Sequence, residues 1–343
     1  AVLEPIIGML GFSLAFALPF TLFAIFPSWL KSLPKSGGWL NSVKVVLGFL
    51  ELALGLKFLS IADQTYHWGL LDREVFLAFW IVIFALMGIY LLGKIKFKHD
   101  SDLTHIGVPR LLMAIITFSF VVYMIPGMFG APLKALSGYL PPMSGHDFDL
   151  HRLIRECSGT PASTISYQNG LDAPCEKPKY ADQLHLPWGL EGYFDYEQGL
   201  DCAKKLNKPV FIDFTGHGCV NCREMEARVW SDPRVLKRLR EDYVIVALYV
   251  DDKKIHLPES DWVTSTYDGK VKKTLGKKYQ DFQISRFNQN TQPLYVLLDT
   301  DGQLLVPTRS YDLNVEGFIE FLDSGLDSFR KRSNPGSSSW LTE

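Results

Sequence analysis

The sequence predicts an α-helical membrane bundle of four transmembrane helices followed by an α/β unit. Three observations carry this reading. Four long apolar runs fill the first 130 of 343 residues, strand and helix patterns alternate after Leu190, and a stretch rich in Pro, Gly and Ser lies between. The division that follows is 1-130 for the helical membrane region, 131-188 for a connector, 189-330 for the α/β unit and 331-343 for a flexible tail. With a formal net charge of −2, nothing points to nucleic acid as a partner.

The runs are Pro5 to Trp29, Trp39 to Ala62, Val75 to Gly93 and Gly107 to Gly130. Each is close to or beyond the roughly 20 residues that a helix needs to cross a bilayer. Four in succession would overfill a soluble core, so the lipid bilayer is their expected surrounding. The first is too long for a secretory signal, starts near Glu4 and not at a basic stretch, and lacks a clear cleavage site. Lys31 and Lys35 lie between the first and second runs, and Lys94, Lys96, Lys98 and Arg110 lie between the third and fourth or at their edges. Asp63, Asp72 and Glu74 outweigh Arg73 between the second and third. The lysine-bearing loops are therefore expected in the cytoplasm and both ends of the bundle outside. In a bacterium this is a multi-pass inner-membrane protein whose part after residue 130 lies in the periplasm, where cysteines can cycle between thiol and disulfide. Lys44 and Lys57 can snorkel from the second run; Glu51, deeper, is either a functional group or packed inside the bundle.

The connector holds at most one short helix, around Asp149 to Glu156, and its Cys157 and Cys175 could form a disulfide. From Leu190 the elements are a helix at Tyr196 to Leu206, a strand at Val210 to Phe214, a helix opening at "CVNCREMEARVW", and a helix at "SDPRVLKRLRE" with a capping residue and Pro in its first turn. A buried strand "YVIVALYV", a polar insertion near 252 to 278, a helix through Phe282, a strand "LYVLLD", a turn "DTDG", a short strand at Leu304 to Val306 and a last helix at Val315 to Arg330 complete the series. Strand, helix, strand, helix, hairpin, helix is a thioredoxin-like order.

The stretch "GHGCVNCREME" places Cys219 and Cys222 in the turn between an apolar strand and a helix start. A structural zinc site needs two more ligands at metal-binding spacing, and the only tempting pair is His146 and His151 far back in the connector, so no metal and no cofactor beyond the cysteine pair itself is expected in the chain. At a helix N-terminus the free N–H groups favour a thiolate, which makes Cys219 the attacking thiol. Cys222, one turn on, is the resolving thiol of a redox-active disulfide. Pro293, at the entrance of the strand "LYVLLD", holds the place where a cis proline faces such a pair and leaves the preceding backbone free for an incoming chain.

The stretches "LPKSGGWLNSVKVVLGFLELAL" and "KPVFIDFTGHGCVNCREMEARVWSDPRV" resemble the bacterial thiol:disulfide interchange protein DsbD family, over residues 1 to about 130 and 189 to 328. The resemblance implies a protein-disulfide reductase in which electrons pass through a cysteine pair in the membrane domain, then to the C-terminal CxxC, then to a periplasmic thioredoxin-like domain that reduces client proteins. By position, the family's acidic residues match Asp213, six before Cys219, and Glu226, four after Cys222. A carboxylate near a thiol opposes its ionisation and can carry its proton.

The departures from the family pattern are specific. Gly218 stands where an aromatic residue often precedes the first cysteine, which leaves the thiol's flank more open. His217 is either a proton-transfer group or a solvated loop residue, and Cys202 is read as a buried thiol outside the relay. None of the four runs holds a cysteine, so the membrane pair and the client-reducing domain are expected on an upstream portion of a longer protein. The competing functions are a membrane-tethered isomerase or oxidase and a non-catalytic binding module. The residues do not choose between cytochrome maturation and general disulfide reduction.

Overall fold

The apolar runs fold as long helices because their backbone polar groups must be satisfied within the segment when no water is at hand. The computed structural model describes residues 3–25, 37–98, 100, 105–143 and 175–333. Its helical part contains α1 (Leu3–Ile25), α2 (Gly37–Tyr66), α3 (Arg73–Leu91) and α4 (Val108–Met124), the last prolonged by a 3-10 turn at Ile125–Phe129. Among the described residues three stretches are long and apolar enough to cross a membrane: Asn41–Tyr66, Arg73–Leu91 and Val108–Phe129. The expected count of four spans is corrected to three. The first run is helical too, but many of its side chains lie outside the described residues.

Phe76, Leu77, Trp80, Ile83 and Phe84 of α3 bury against Ala53 of α2 and Ala114, Val121 and Met124 of α4. The Trp80 indole N–H donates to the Ala53 carbonyl at 3.0 Å. At Gly88 a Cβ would stand 2.7 Å from the Phe118 ring, so glycine sets how closely α3 and α4 approach. Arg110 Nε and Nη2 donate to the carbonyls of Leu91 and Tyr90, 2.6 and 2.9 Å away, satisfying groups that the end of α3 leaves open. The start of the expected connector is ordered: Leu133 and Leu140 join this core, and Arg73 Nη1 donates to the Pro141 carbonyl at 2.7 Å. Lys57 departs from expectation. The helix runs on to Tyr66, so Lys57 is not near its end, and it is buried. Glu51 is exposed among the described residues.

The second part is built on β1 (Val210–Thr215), a strand with every residue buried. It pairs in parallel with β2 (Val244–Tyr249) and antiparallel with β5 (Leu294–Leu298), which pairs antiparallel with β6 (Arg309–Ser310). The sheet order is β2-β1-β5-β6. Around it lie α5 (Tyr196–Leu206), α6 (Val220–Met225), α7 (Pro233–Glu241), α8 (Leu275–Phe287) and α9 (Val315–Ser333). The polar insertion carries the small hairpin β3 (Val263–Thr264) and β4 (Val271–Lys272). Alternation along β1 sorts its side chains between two faces. Phe211 meets Trp230, Tyr295 and Phe318, while Phe214 meets Phe282 and Phe287 of α8. Asp213 and Thr215 share the Phe211 side.

Two sequence expectations change here. Leu304 makes only an isolated bridge to Leu298, and the pairing strand falls at Arg309–Ser310, beyond Pro307, which cannot donate to a ladder. Cys175 is bonded to Cys202 with an S–S distance of 2.02 Å, so Cys202 is no free thiol and Cys175 is not the partner of Cys157, which lies outside the described residues. The bond staples the arm from Cys175 to α5. The expected helix at Asp149 to Glu156, His146 and His151 also lie outside the described residues.

Candidate functional site

The loop after β1 turns back at Gly216, where a Cβ would stand 2.8 Å from Asp251 Oδ2. Asp251, just past β2, accepts from the backbone N–H of His217 at 2.8 Å and of Gly218 at 2.9 Å. Its carboxylate therefore fixes the two residues that precede Cys219. Cys219 then caps α6, its Sγ accepting from the Cys222 N–H at 3.1 Å. Cys219 and Cys222 form a disulfide. Cys219 is partly exposed, whereas Cys222 is only 1% exposed, so access distinguishes the two sulfurs.

Past Cys222, α6 runs into a π-helical turn at Glu226–Trp230, and Arg223, Glu226 and Asp213 are all buried together. Arg223 Nη2 donates to Glu226 Oε1 at 2.8 Å and to Thr215 Oγ1 at 3.3 Å. Burial pushes the Glu226 carboxyl up to about 7, opposed by the charges of Arg223 and Arg73. Asp213 is raised well above the usual carboxylate range by burial first and by the charge of Glu226 second. Its Oδ1 has no hydrogen-bond partner among the described residues, which suits a protonated carboxyl better than a buried anion. Glu226 is thus no exposed helix residue.

His217 is not a solvated loop residue either. Its Nε2 lies 3.0 Å from Asp252 Oδ2, and His67, just past α2, places its own Nε2 2.6 Å from the same oxygen. Hydrogen bonds to His217 and His67, with one from the Ile255 N–H, hold the Asp252 carboxyl well below the usual range although burial opposes this. The redox loop also touches the helical part: a Cβ on Gly218 would stand 3.1 Å from Ile61 Cγ2, and one on Gly138 2.6 Å from Val220 Cγ1. The flank of the thiol is therefore less open than Gly218 alone suggests.

The structure brings Asp213, Cys219, Cys222 and Glu226 to one end of the sheet. Pro293 follows a cis peptide bond and precedes Leu294, which pairs with Phe214 at that same end. Sequence reasoning missed Arg223, Asp251, Asp252 and His67. The pair "DD" directly after a buried strand and a histidine between the second and third apolar runs were the signals available for the last three.

Residues 191–300 match a family described as Thioredoxin-like. The chain is 25% identical over 207 residues to thiol:disulfide interchange protein DsbD 1 of Pseudomonas aeruginosa, covering 60% of this chain and 28% of that protein. It is 26% identical over 241 residues to thiol:disulfide interchange protein DsbD of Pseudoalteromonas atlantica, covering 67% of this chain and 31% of the relative. The chain thus spans about three tenths of the length of these relatives. Among solved structures, a chain titled "DsbH Oxidoreductase" is similar with a TM-score of 0.31 and 17% identity, over 51% of this chain and 98% of that one. The thioredoxin-like fold and its CxxC disulfide support thiol–disulfide exchange, and the apolar helices support a multi-pass membrane protein. The chain is thus distantly similar to the thiol:disulfide interchange protein DsbD of several bacteria.

Proposed function

We propose that the chain is a protein-disulfide reductase that passes reducing equivalents from a membrane electron carrier to periplasmic disulfide proteins through Cys219 and Cys222. The observation that carries this reading is the CxxC disulfide at the start of α6, with one sulfur accessible, the other buried, and two buried carboxyls at Asp213 and Glu226 on the flanking strand and helix. In the proposed division, residues 1-130 belong to the membrane carrier and 189-330 to the periplasmic reductase, joined by 131-188.

In the reduced protein the Cys219 thiolate attacks one sulfur of an acceptor disulfide, and the acceptor's other sulfur leaves as a thiolate and takes a proton. Cys222 loses its proton and attacks Cys219 Sγ, which releases the second acceptor thiolate. Two electrons have then reached the acceptor, and the Cys219–Cys222 bond has formed. A membrane-embedded cysteine pair reduces that bond again, and a periplasmic thioredoxin-like domain is the acceptor. Glu226, titrating near neutral pH, and Asp213 are assigned the proton traffic of the thiols. Pro293 is assigned to the turn before β5 that receives the acceptor chain.

The test is the reduction potential together with trapping. A potential near the roughly −270 mV of thioredoxin is expected, and one near the roughly −120 mV of DsbA-type oxidants overturns the direction of flow. Cys222→Ser should accumulate a mixed disulfide through Cys219 with a thioredoxin-like domain, identifiable by mass spectrometry.

A further inference from the structure

We propose that His67, His217 and Asp252 form a binding site for a divalent transition-metal ion of the zinc class, at the junction between the helical part and the loop that carries Cys219. His67 Nε2, His217 Nε2 and Asp252 Oδ2 all lie within 4.8 Å of one another. In a tetrahedral zinc site with nitrogen and oxygen ligands about 2.0–2.1 Å from the ion, ligand atoms stand about 3.3 Å apart. Here both imidazole nitrogens converge on one carboxylate oxygen, at 2.6 and 3.0 Å, so outward shifts of less than about 1 Å open the place for the ion. Two imidazoles and a carboxylate are a donor set that suits zinc rather than the hard cations, which prefer oxygen throughout.

The surroundings are already organised for this. Asp252 Oδ1 accepts from the backbone N–H groups of Lys254 and Ile255 at 3.1 and 2.9 Å, which fixes the carboxylate and leaves Oδ2 for the ion. The Asp252 side chain is fully buried, and those of His67 and His217 are 13% and 8% exposed, so the ion would sit in surroundings that strengthen its attraction to the carboxylate. A cavity of about 410 Å³ lined by His67, His217, His185, Asp63, Tyr249 and Lys254 supplies an entry path and a fourth position for water. The opposing charges on the cavity wall are Lys254, whose ammonium donates to the His67 carbonyl at 3.1 Å and whose exposed side chain can turn to solvent, and Arg73, whose guanidinium is held on the Pro141 carbonyl.

The three ligands come from separate parts of the chain: the loop after α2, the turn two residues before Cys219, and the end of β2. A bound ion therefore clasps the redox loop to the helical part without consuming either cysteine. The site is distinct from any cysteine-ligated one.

Zinc titrated into the full chain in detergent micelles, with the disulfides oxidised and free thiol alkylated, should bind at one ion per chain and raise the melting temperature. His67→Gln and His217→Asn should each weaken binding at least about tenfold and abolish the thermal shift. Zinc K-edge absorption on the unsubstituted chain, which needs no variant to fold, should show only nitrogen and oxygen neighbours with imidazole scattering. No saturable binding below about 100 µM, equal binding by a folded His67→Gln variant, or a first shell without imidazole would each overturn the proposal.

Discussion

Arg223 holds Glu226 in a buried ion pair, Nη2 to Oε1 at 2.8 Å, one turn beyond the resolving cysteine. Burial still outweighs the pair, so the folded carboxyl titrates near 7 against 4.5 when exposed. The folded state then binds more protons than the unfolded state between those values, and stability must fall as pH rises from about 4.5 through about 7. The slope from this one group is at most about 1.4 kcal/mol per pH unit. Urea unfolding should show a lower midpoint at pH 8 than at pH 5, and Glu226→Gln should flatten that dependence. A midpoint that rises across this window would contradict the assignment.

Asp213 is raised by burial and by the charge of Glu226, and its Oδ1 lacks a partner among the described residues. A neutral amide replaces a neutral acid at little cost, so Asp213→Asn should change stability by less than about 1 kcal/mol. Its effect belongs to chemistry. With no carboxylic acid to give a proton to a leaving thiolate, the rate of disulfide exchange at neutral pH should fall by about 10²-fold or more, while Glu226→Gln should instead shift the pH profile. Stopped-flow reduction of a fluorescent disulfide substrate across pH 5 to 9 separates the two.

Much of this site was legible because strand, turn and cysteine spacing are local signals. Val210 to Phe214 is an apolar run interrupted only by Asp213, and the CxxC follows at a fixed distance, so one short window places Cys219, Cys222 and Asp213. Glu226 was placed by spacing, but its surroundings include Trp188, 38 positions away, whose indole N–H donates to the Glu226 carbonyl only in the folded chain. His67 lies 185 positions from Asp252, and no periodicity connects residues so far apart. The Cys175–Cys202 bond was missed for the same reason: five cysteines leave the partner choice to topology, and α5 presents Cys202 to the arm. Leu304 misled because three apolar residues before Pro307 look like a strand, but the ladder pairing falls beyond the proline.

The Cys175–Cys202 bond closes a loop of 27 positions. Loop-closure entropy assigns it roughly 3.5 kcal/mol. Cys202→Ser should therefore lower the denaturation midpoint of the second part by that order, and release the arm around Cys175 to proteolysis. The Cys219–Cys222 pair should keep its reduction potential, because neither sulfur nor its loop touches the staple. A large change in that potential would mean that the two disulfides exchange with one another.

Asp251 is the residue whose loss should separate loop order from redox chemistry most clearly. Its two carboxylate oxygens hold the N–H groups of His217 and Gly218 from across the sheet end, and no other acceptor is assigned to either donor among the described residues. Asp251→Ala leaves two N–H groups without these bonds, at about 1–3 kcal/mol each if they stay buried. The loop can avoid that cost only by moving its donors to water, which carries Gly218 away from Ile61 and exposes Cys219. Hydrogen exchange of residues 216 to 219 should then accelerate at least about tenfold, and alkylation of reduced Cys219 should speed up in parallel. Asp251→Asn retains one acceptor oxygen and should fall between the two. Unchanged exchange in the alanine variant would show that the packing of Gly218 on Ile61, and not the carboxylate, holds the loop.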